Sequence, residues 1–252
     1  HKKLVSNLHG LEMFQKSFSL KEKLEKLILK NVSTDIIKKS SFAISLGGKL
    51  TDILIAIGVK RNRIIISPNG IAADNILPIS HQNNNRTNSE KLHLIFIGRD
   101  EERKGLHILS KALSEIQSPL HLTLVGEVGP VESKFHTIEN IGLIKSKDEL
   151  FKLIDKSHAL VVPSLSEGMP TVILEAMARG KAIIASNVGA VPELVDDSNG
   201  KLVPPNDAKL LAKAIENLGD NDFKKASEQS LEKVALFTWG EIAIRFFANC
   251  KT

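Results

Sequence analysis

The 252 residues suffice for one or two domains, and a composition of 42% hydrophobic and 25% charged residues is that of an ordinary globular chain with a real core. The net charge of +5 is lodged at the amino-terminal side, where residues 1–90 carry fourteen Lys/Arg against seven Asp/Glu. With 4% aromatics and no tyrosine the chain has few platforms on which bases stack, which excludes nucleic acid as the expected partner; Cys250, the only cysteine, excludes an internal disulfide framework.

The basic amino-terminal side reads either as a surface drawn to an anionic membrane or lipid acceptor, or as a solvated lysine-rich face. No apolar run is long enough to cross a membrane as a helix, and no secretory leader is visible. Together with the lone cysteine this gives a cytoplasmic expectation, with the inner face of the cytoplasmic membrane as the more specific form of it. The first residue is His1, and the chain opens directly into a strand pattern, which reads as a fragment lacking its natural start.

In chain order, residues 4–8 and 42–46 read as short buried strands. Between them residues 20–39 form a helical stretch with Leu20, Leu24, Leu27 and Ile28 on one face. Residues 63–66 make another strand, ending at the turn signal Pro68-Asn69-Gly70. Residues 80–89, with Gln82, a run of asparagines and Arg86, have almost no apolar content and predict an exposed linker. Beyond it the alternation is regular. Strands are predicted at 92–97, 120–125, 141–144, 159–162 and 182–185, and helices at 105–117, 148–157, 171–179 and 207–218. A helical turn falls at 192–195, and an apolar helix at 241–250 closes the chain. Pro170 at the start of one helix and Gly180 just past its end follow the usual asymmetry of helix termini. Continuous apolar strands alternating with helices imply an α/β architecture, a parallel sheet covered on both faces. Such sheets bind ligands at the carboxyl ends of their strands, so the loops after Ile97, Val125, Val162 and Ala185 share one rim.

Two of those loops carry chemistry. The first runs from Gly98 through Arg99 to Lys104 and Gly105. Gly98 lets a ligand approach the strand end, and a guanidinium fork with a mobile ammonium suits a diphosphate. Taken alone the pair is weak, because loops carry basic residues often. The second runs from Pro163 through Glu167, Gly168, Met169 and Pro170 to Thr171, and leads into the helix bearing Glu175. The amino end of that helix offers unpaired N–H groups and a positive dipole end to an anion. Carboxylates flanking a phosphate site are suited to accepting hydrogen bonds from sugar hydroxyls, one on the transferred sugar and one on the ribose. Separately, Glu167 reads as a solvated loop acid and Glu175 as an acid near a helix start.

The joint pattern is more specific. Phe96-Ile97-Gly98-Arg99, Lys104-Gly105, Leu124-Val125-Gly126, Val162-Pro163-Ser164, Glu167-Gly168-Met169-Pro170, Leu174-Glu175-Ala176-Met177-Ala178, Val188-Gly189-Ala190-Val191-Pro192-Glu193 and Gly200-Lys201-Leu202-Val203-Pro204-Pro205 follow in order, with Glu167 eight residues before Glu175. In this the segment from Leu92 to Leu218 resembles glycosyltransferase family four, the retaining group 1 enzymes of GT-B fold. The resemblance implies a Rossmann-like parallel sheet with helices on both faces, preceded by an incomplete first Rossmann-like domain. It implies boundaries at 1–79 for the partial acceptor-side domain, 80–90 for the linker, 91–235 for the nucleotide-sugar-binding domain and 236–252 for a crossover helix. It also implies roles. Arg99 and Lys104 bind the donor diphosphate and stabilise the departing nucleotide, so that no metal and no cofactor is expected. Glu167 holds donor-sugar hydroxyls, the backbone of Gly168, Met169, Pro170 and Thr171 holds sugar and phosphate oxygens, and Glu175 binds the ribose. Gly142 and Leu143 flank the base. Leu8-His9-Gly10-Leu11-Glu12 resembles the strand end bearing the family's active-site histidine, which makes His9 the residue facing the donor sugar across the cleft. One departure is Glu-Gly-Met-Pro where the family commonly has Glu-Gly-Phe-Gly, which leaves donor-sugar selectivity open.

The expected activity is therefore transfer of a sugar from a nucleotide-diphosphate donor to a hydroxyl on a glycan or glycolipid acceptor, in synthesis of cell-envelope polysaccharide. A non-catalytic nucleotide-sugar-binding module, or one subunit of a split enzyme, is the alternative that the missing first-domain strands suggest. An epimerase of related fold fits less well, because the Glu167 loop and the Pro192-Glu193 turn follow the transferase pattern. A dinucleotide dehydrogenase is disfavoured, since Gly98 stands alone in its loop.

Overall fold

The computed structural model describes residues 4–78 and 91–250. The linker expected over 80–90 lies outside the described residues. Two parallel sheets organise the chain. The first has three strands, β1 (Val5–Ser6), β2 (Phe42–Ser45) and β3 (Ile64–Ile66), in sequential order. The helix α1 (Leu20–Lys39) connects β1 to β2, and α2 (Gly48–Ala56) connects β2 to β3.

Local chemistry sets the bounds of α1. The Ser19 hydroxyl accepts from the Glu22 N–H at 3.1 Å, and the Glu22 carboxylate reaches back to the Phe18 N–H at 2.7 Å, which closes the first turn. Lys38 and Lys39 occupy the last turn, where the helix dipole favours them. The predicted stripe exists and points outward. Leu20, Leu24, Leu27 and Ile28 are 87, 63, 61 and 62% exposed, and the buried side of α1 carries Ser33 and Ile37 instead. Periodicity identifies an apolar face; it does not say which face the rest of the chain covers. The element α2 was not foreseen, although Leu50, Thr51 and Leu54 form its buried side.

The second sheet has six strands: β4 (Leu92–Ile97), β5 (Leu120–Val125), β6 (Thr137–Gly142), β7 (Ala159–Val162), β8 (Ala182–Ser186) and β9 (Gly200–Val203). Their order is β6-β5-β4-β7-β8-β9, and every neighbouring pair is parallel. The helices α3 (Leu106–Glu115), α4 (Lys147–Lys156), α5 (Thr171–Ala178), α6 (Val191–Leu194) and α7 (Ala208–Glu216) follow the strands. Leu94 and Phe96 pack with residues of α3 and α7, whereas Ile95 and Leu160 pack with residues of α4 and α5. The sheet is thus covered on both faces, which is why its strands read as unbroken apolar runs.

In the second region β6 is displaced from expectation, and β9 and the helix after α7 were not foreseen. The strand foreseen at 141–144 runs over Thr137–Gly142, a half-exposed edge whose polar residues hide it from an apolar scan. The helix α8 (Asp220–Ala235) was missed because small residues make up much of its buried side. Phe223, Ala226, Ser227, Ser230, Leu231 and Val234 recur at helical spacing, but serine and alanine carry little hydropathy signal.

The last helix, α9 (Trp239–Cys250), lies against the end of the first region. The Ile71 N–H donates to the Phe237 carbonyl at 2.9 Å and the Trp239 N–H to the Ile71 carbonyl at 3.1 Å. One apolar cluster also runs without a break between the regions, joining Leu11, Leu46 and Leu50 to Met169, Val188 and Ala190.

Candidate active site

The strand order decides where a ligand can sit. The chain leaves β4 in one direction to build β5 and β6, then returns to β7 and builds β8 and β9 on the other side. The backbones diverge between β4 and β7, and this switch point opens a crevice at the strands' carboxyl ends. The two loops singled out by sequence, 98–105 after β4 and 163–170 after β7, flank it.

The loops are joined directly. The Leu165 N–H donates to the Arg103 carbonyl at 2.7 Å. Gly105 makes the approach feasible: it sits in the left-handed region at φ 71°, and a Cβ there would lie 2.1 Å from the Pro163 carbonyl oxygen. On its other side the first loop is tied to the end of β5, with Gly98 N–H to Val125 carbonyl at 2.9 Å and Asp100 N–H to Glu127 carbonyl at 2.8 Å.

Glu167 is 6% exposed, so its carboxylate needs partners within the protein. Oε1 receives the Lys104 ammonium at 2.7 Å and the Ser164 hydroxyl at 2.8 Å, and the Arg103 guanidinium stands 3.7 Å from Oε2. Arg99 lies further out, paired with Glu101 at 2.8 Å, and Arg103 also meets Glu101 at 2.7 Å. Three cations therefore line one side of the crevice against two carboxylates.

Glu175 is on α5, beyond the other end of the loop. It is half-buried, and its side chain makes no hydrogen bond or ion pair with a described residue. Burial pushes its carboxyl above the usual range, while the charge of Lys147 opposes the shift. No side chain caps the start of α5, so the N–H groups after Pro170 and Thr171 are left to the crevice. Gly168 anchors the loop by accepting from the Ala190 N–H at 2.8 Å, and Met169 is buried. At the end of β6, Gly142 adopts φ 77° and accepts from the Gly126 N–H at 2.7 Å, and Leu143 beside it is 57% exposed at the rim.

His9 begins a 3-10 turn, His9–Phe14, at the end of β1 and is exposed. Its neighbour Gly10 abuts the second sheet's loop, since a Cβ on Gly168 would lie 3.1 Å from the Gly10 Cα. The structure thus brings Lys104, Glu167 and the Gly168 backbone together, with the His9 turn against them. Arg99, Gly142, Leu143 and Glu175 sit around the same rim without touching that group. Among the described residues, no set of three His, Cys, Asp or Glu side chains is placed to hold a metal ion.

Three contributors were not foreseen. Arg103 was overlooked beside the more suggestive Lys104. Asn69 was read only as a turn residue, yet its amide donates to the Met169 carbonyl at 2.7 Å. Gln15 bridges to the Glu167 loop from the other region. No local pattern marks the latter two, because their partners are 100 and 152 residues away.

A family model described as "Glycosyl transferases group 1" matches residues 91–221. A putative colanic acid biosynthesis glycosyltransferase of Escherichia coli, WcaL, is 28% identical over 199 residues, which are 70% of this chain and 48% of that protein. The chain thus spans about half the length of this curated relative. Among solved structures, sucrose-phosphate synthase from Thermosynechococcus elongatus superposes with a TM-score of 0.77 at 24% identity, covering 98% of this chain and 67% of that one. Anabaena HepE, solved in complex with UDP-glucose, superposes with a TM-score of 0.74 at 19% identity, covering 99% and 71%.

Proposed function

Because the chain belongs to the glycosyl transferases group 1 family and has its GT-B type fold, we propose that it carries the donor site of a retaining glycosyltransferase, moving a sugar from a nucleotide diphosphate to a hydroxyl acceptor. The observation that carries this is the Lys104–Glu167 contact of 2.7 Å at the switch point, beside the uncapped start of α5.

The roles follow from charge and position. As the glycosidic bond breaks, negative charge grows on the leaving diphosphate. Arg99 and Lys104, helped by Arg103 and the dipole of α5, stabilise that charge, and they do so most at the transition state. No metal is required for this step, because the cations are supplied by side chains. Lys104 exchanges part of its contact with Glu167 for phosphate oxygen, which releases carboxylate lone pairs to accept from the sugar hydroxyls. The backbone of residues 168–171 holds sugar and phosphate oxygens. Glu175, half-buried and with its carboxylate unpaired among the described residues, accepts from the ribose hydroxyls. Gly142 and Leu143 bound the base, and the HepE complex with UDP-glucose supports a uridine donor. His9 faces the sugar from the opposite wall. Retention follows when the acceptor attacks on the face the leaving group departs from, with the leaving phosphate taking the acceptor's proton.

The acceptor we propose is a glycan or glycolipid of a cell-envelope polysaccharide, which the colanic acid relative supports. The outward apolar stripe of α1, flanked by Lys21, Lys23 and Lys30, supports peripheral contact with an anionic membrane. Among the described residues no helix is long and apolar enough to cross a membrane.

Calorimetric titration with UDP, GDP and their hexose conjugates tests the donor site. Release of free nucleotide in the presence of a hydroxyl acceptor tests transfer. A span of 48% of the E. coli relative favours one second reading, a donor-binding portion that needs the remainder of a longer or split enzyme. Binding without turnover by this chain selects it, and turnover eliminates it.

A further inference from the structure

Gln15 stands outside the donor site, six residues after His9, and has no role in the chemistry above. Its carboxamide nevertheless spans the cleft. Nε2 donates to the Gly10 carbonyl at 2.5 Å and to the Glu167 carbonyl at 3.0 Å, and Oε1 accepts from the Ser166 hydroxyl. Both amide hydrogens and the amide oxygen are therefore engaged. Two carbonyl partners on one end and a hydroxyl on the other determine which end is nitrogen, because a carbonyl cannot donate. The residue is half-buried and Ser166 is buried, so these bonds are shielded from competing water.

The turn that Gln15 closes is strained. Gly10 adopts φ 79° and Leu11, a buried non-glycine residue, adopts φ 49°. Such a backbone persists only where surrounding contacts hold it, and it occurs at positions that must present a group in one orientation. The bond to the Gly10 carbonyl holds the turn from inside. The bond to the Glu167 carbonyl fastens the same side chain to the residue whose carboxylate meets Lys104 and Ser164. Between them the backbones of Gly10 and Gly168 approach so closely that a side chain on Gly168 would press on Gly10.

We propose that Gln15 is a positioning residue, a clasp that couples the His9 turn to the sugar-holding end of the donor site. It rests on the donor-site reading above. Among the described residues Gln15 makes no hydrogen bond to β6 or α5, which carry the proposed base and ribose positions. Its hydrogen bonds reach the His9 turn through Gly10 and the donor loop through Ser166 and Glu167, so it acts on the end of the site that holds the sugar moiety. Nucleotide binding is left intact, and the added affinity a sugar brings to a nucleoside diphosphate depends on the clasp.

The test compares the whole chain with Gln15→Ala and Gln15→Glu, titrated with UDP, GDP and their hexose conjugates. In Gln15→Ala the affinity for the nucleoside diphosphate is unchanged, and the ratio of sugar-conjugate to diphosphate affinity falls about tenfold, the loss of a hydrogen bond to a shielded site. Gln15→Glu behaves like the alanine variant at neutral pH, because a carboxylate cannot donate to the two carbonyls. As its carboxyl protonates below about pH 5 it regains a donor and part of the ratio, while the wild-type ratio shows no such acid recovery. Without any ligand, hydrogen exchange at the amides of residues 165–168 accelerates in Gln15→Ala. An unchanged ratio with unchanged exchange overturns the proposal. Equal losses for diphosphate and conjugate, with a lower Tm, also overturn it, because they assign Gln15 a purely structural role. Absence of nucleotide binding by the wild type instead overturns the donor-site reading, and the exchange measurement separates the two failures.

Discussion

The ammonium of Lys104 and the carboxylate of Glu167 lie 2.7 Å apart across the switch point of the six-stranded sheet. One comes from the loop after β4 and the other from the loop after β7. Glu167 is almost wholly buried, and a buried charge must be paired. The pair neutralises both charges, and the proposed mechanism draws on its cation to meet the leaving diphosphate.

Lys104→Ala is expected to lower turnover by about a hundredfold or more, the scale for removing one preorganised charge from a transition state. It also strips Glu167 of its closest cation, so thermal stability falls. Adding Glu167→Gln to it removes the stranded charge and restores Tm, yet turnover stays low. Thermal melts and steady-state rates on the single and double variants check both halves. Near-normal turnover in Lys104→Ala removes the diphosphate assignment.

Glu175 gives the opposite balance of stability and binding. Its folded-state carboxyl titrates above the usual range because burial penalises the ion. The folded state holds that proton more tightly than the unfolded chain, so the ionised group costs stability at neutral pH and the cost disappears as pH falls. Glu175→Gln should therefore raise Tm at neutral pH while weakening nucleotide binding, since the amide is a poorer acceptor for ribose hydroxyls. Wild-type nucleotide affinity should also decline on acidification, starting above the ordinary carboxylate range. Calorimetry over a pH series, with both proteins, reads these effects.

His93 is expected to dominate acid sensitivity at the far rim. Its ring stacks on His121 with centroids 4.2 Å apart and bonds Thr123 at 2.8 Å. Burial first, then the neighbouring His121 and His158, depress it from 6.5 to about 4. A depressed folded-state value means that its stabilisation is complete above the unfolded value and is lost as pH falls through about 4. Denaturant melts at stepped pH should show the loss, and His93→Gln should flatten it. An equally steep decline in the variant would place the acid sensitivity elsewhere.

Gly105→Ala should cost at least about 2 kcal/mol, because the new Cβ combines a left-handed backbone with a collision against fixed main chain. That Cβ would stand 2.1 Å from the Pro163 carbonyl, so relief requires the β4 and β7 loops to separate. Stability and donor affinity should fall together. Full donor affinity in a destabilised Gly105→Ala would uncouple the loops.

A chelator should leave donor binding and turnover unchanged, since Arg99, Arg103 and Lys104 already supply the positive charge. Loss of turnover with EDTA and its return with a divalent cation would contradict the proposed mechanism.

Much of the second sheet was legible because burial on both faces writes itself into sequence as unbroken apolar strands. Residues 92–97, 120–125 and 159–162 were bounded correctly from that signal alone. The loops 98–105 and 163–170 were legible for a related reason: glycines, prolines and charges stand out where apolar runs stop. β6 and α8 were obscured because a half-exposed edge strand and a helix packed through Ser227 and Ser230 carry little contrast.

By itself the sequence determined the class of fold, the loops that meet at the carboxyl ends of the strands, and the order and spacing of Lys104, Glu167 and Glu175. Those are properties of short segments, where periodicity and residue type act over a few residues. Only the tertiary structure decided that Glu167 is buried against Lys104 while the Glu175 carboxylate has no hydrogen bond or ion pair among the described residues. It also decided that the leucines of α1 face outward and that Gln15 and Asn69 grip the loop of residues 163–170. Each of these depends on contacts between residues 60 or more positions apart or on which face finds a covering, and no local pattern encodes either.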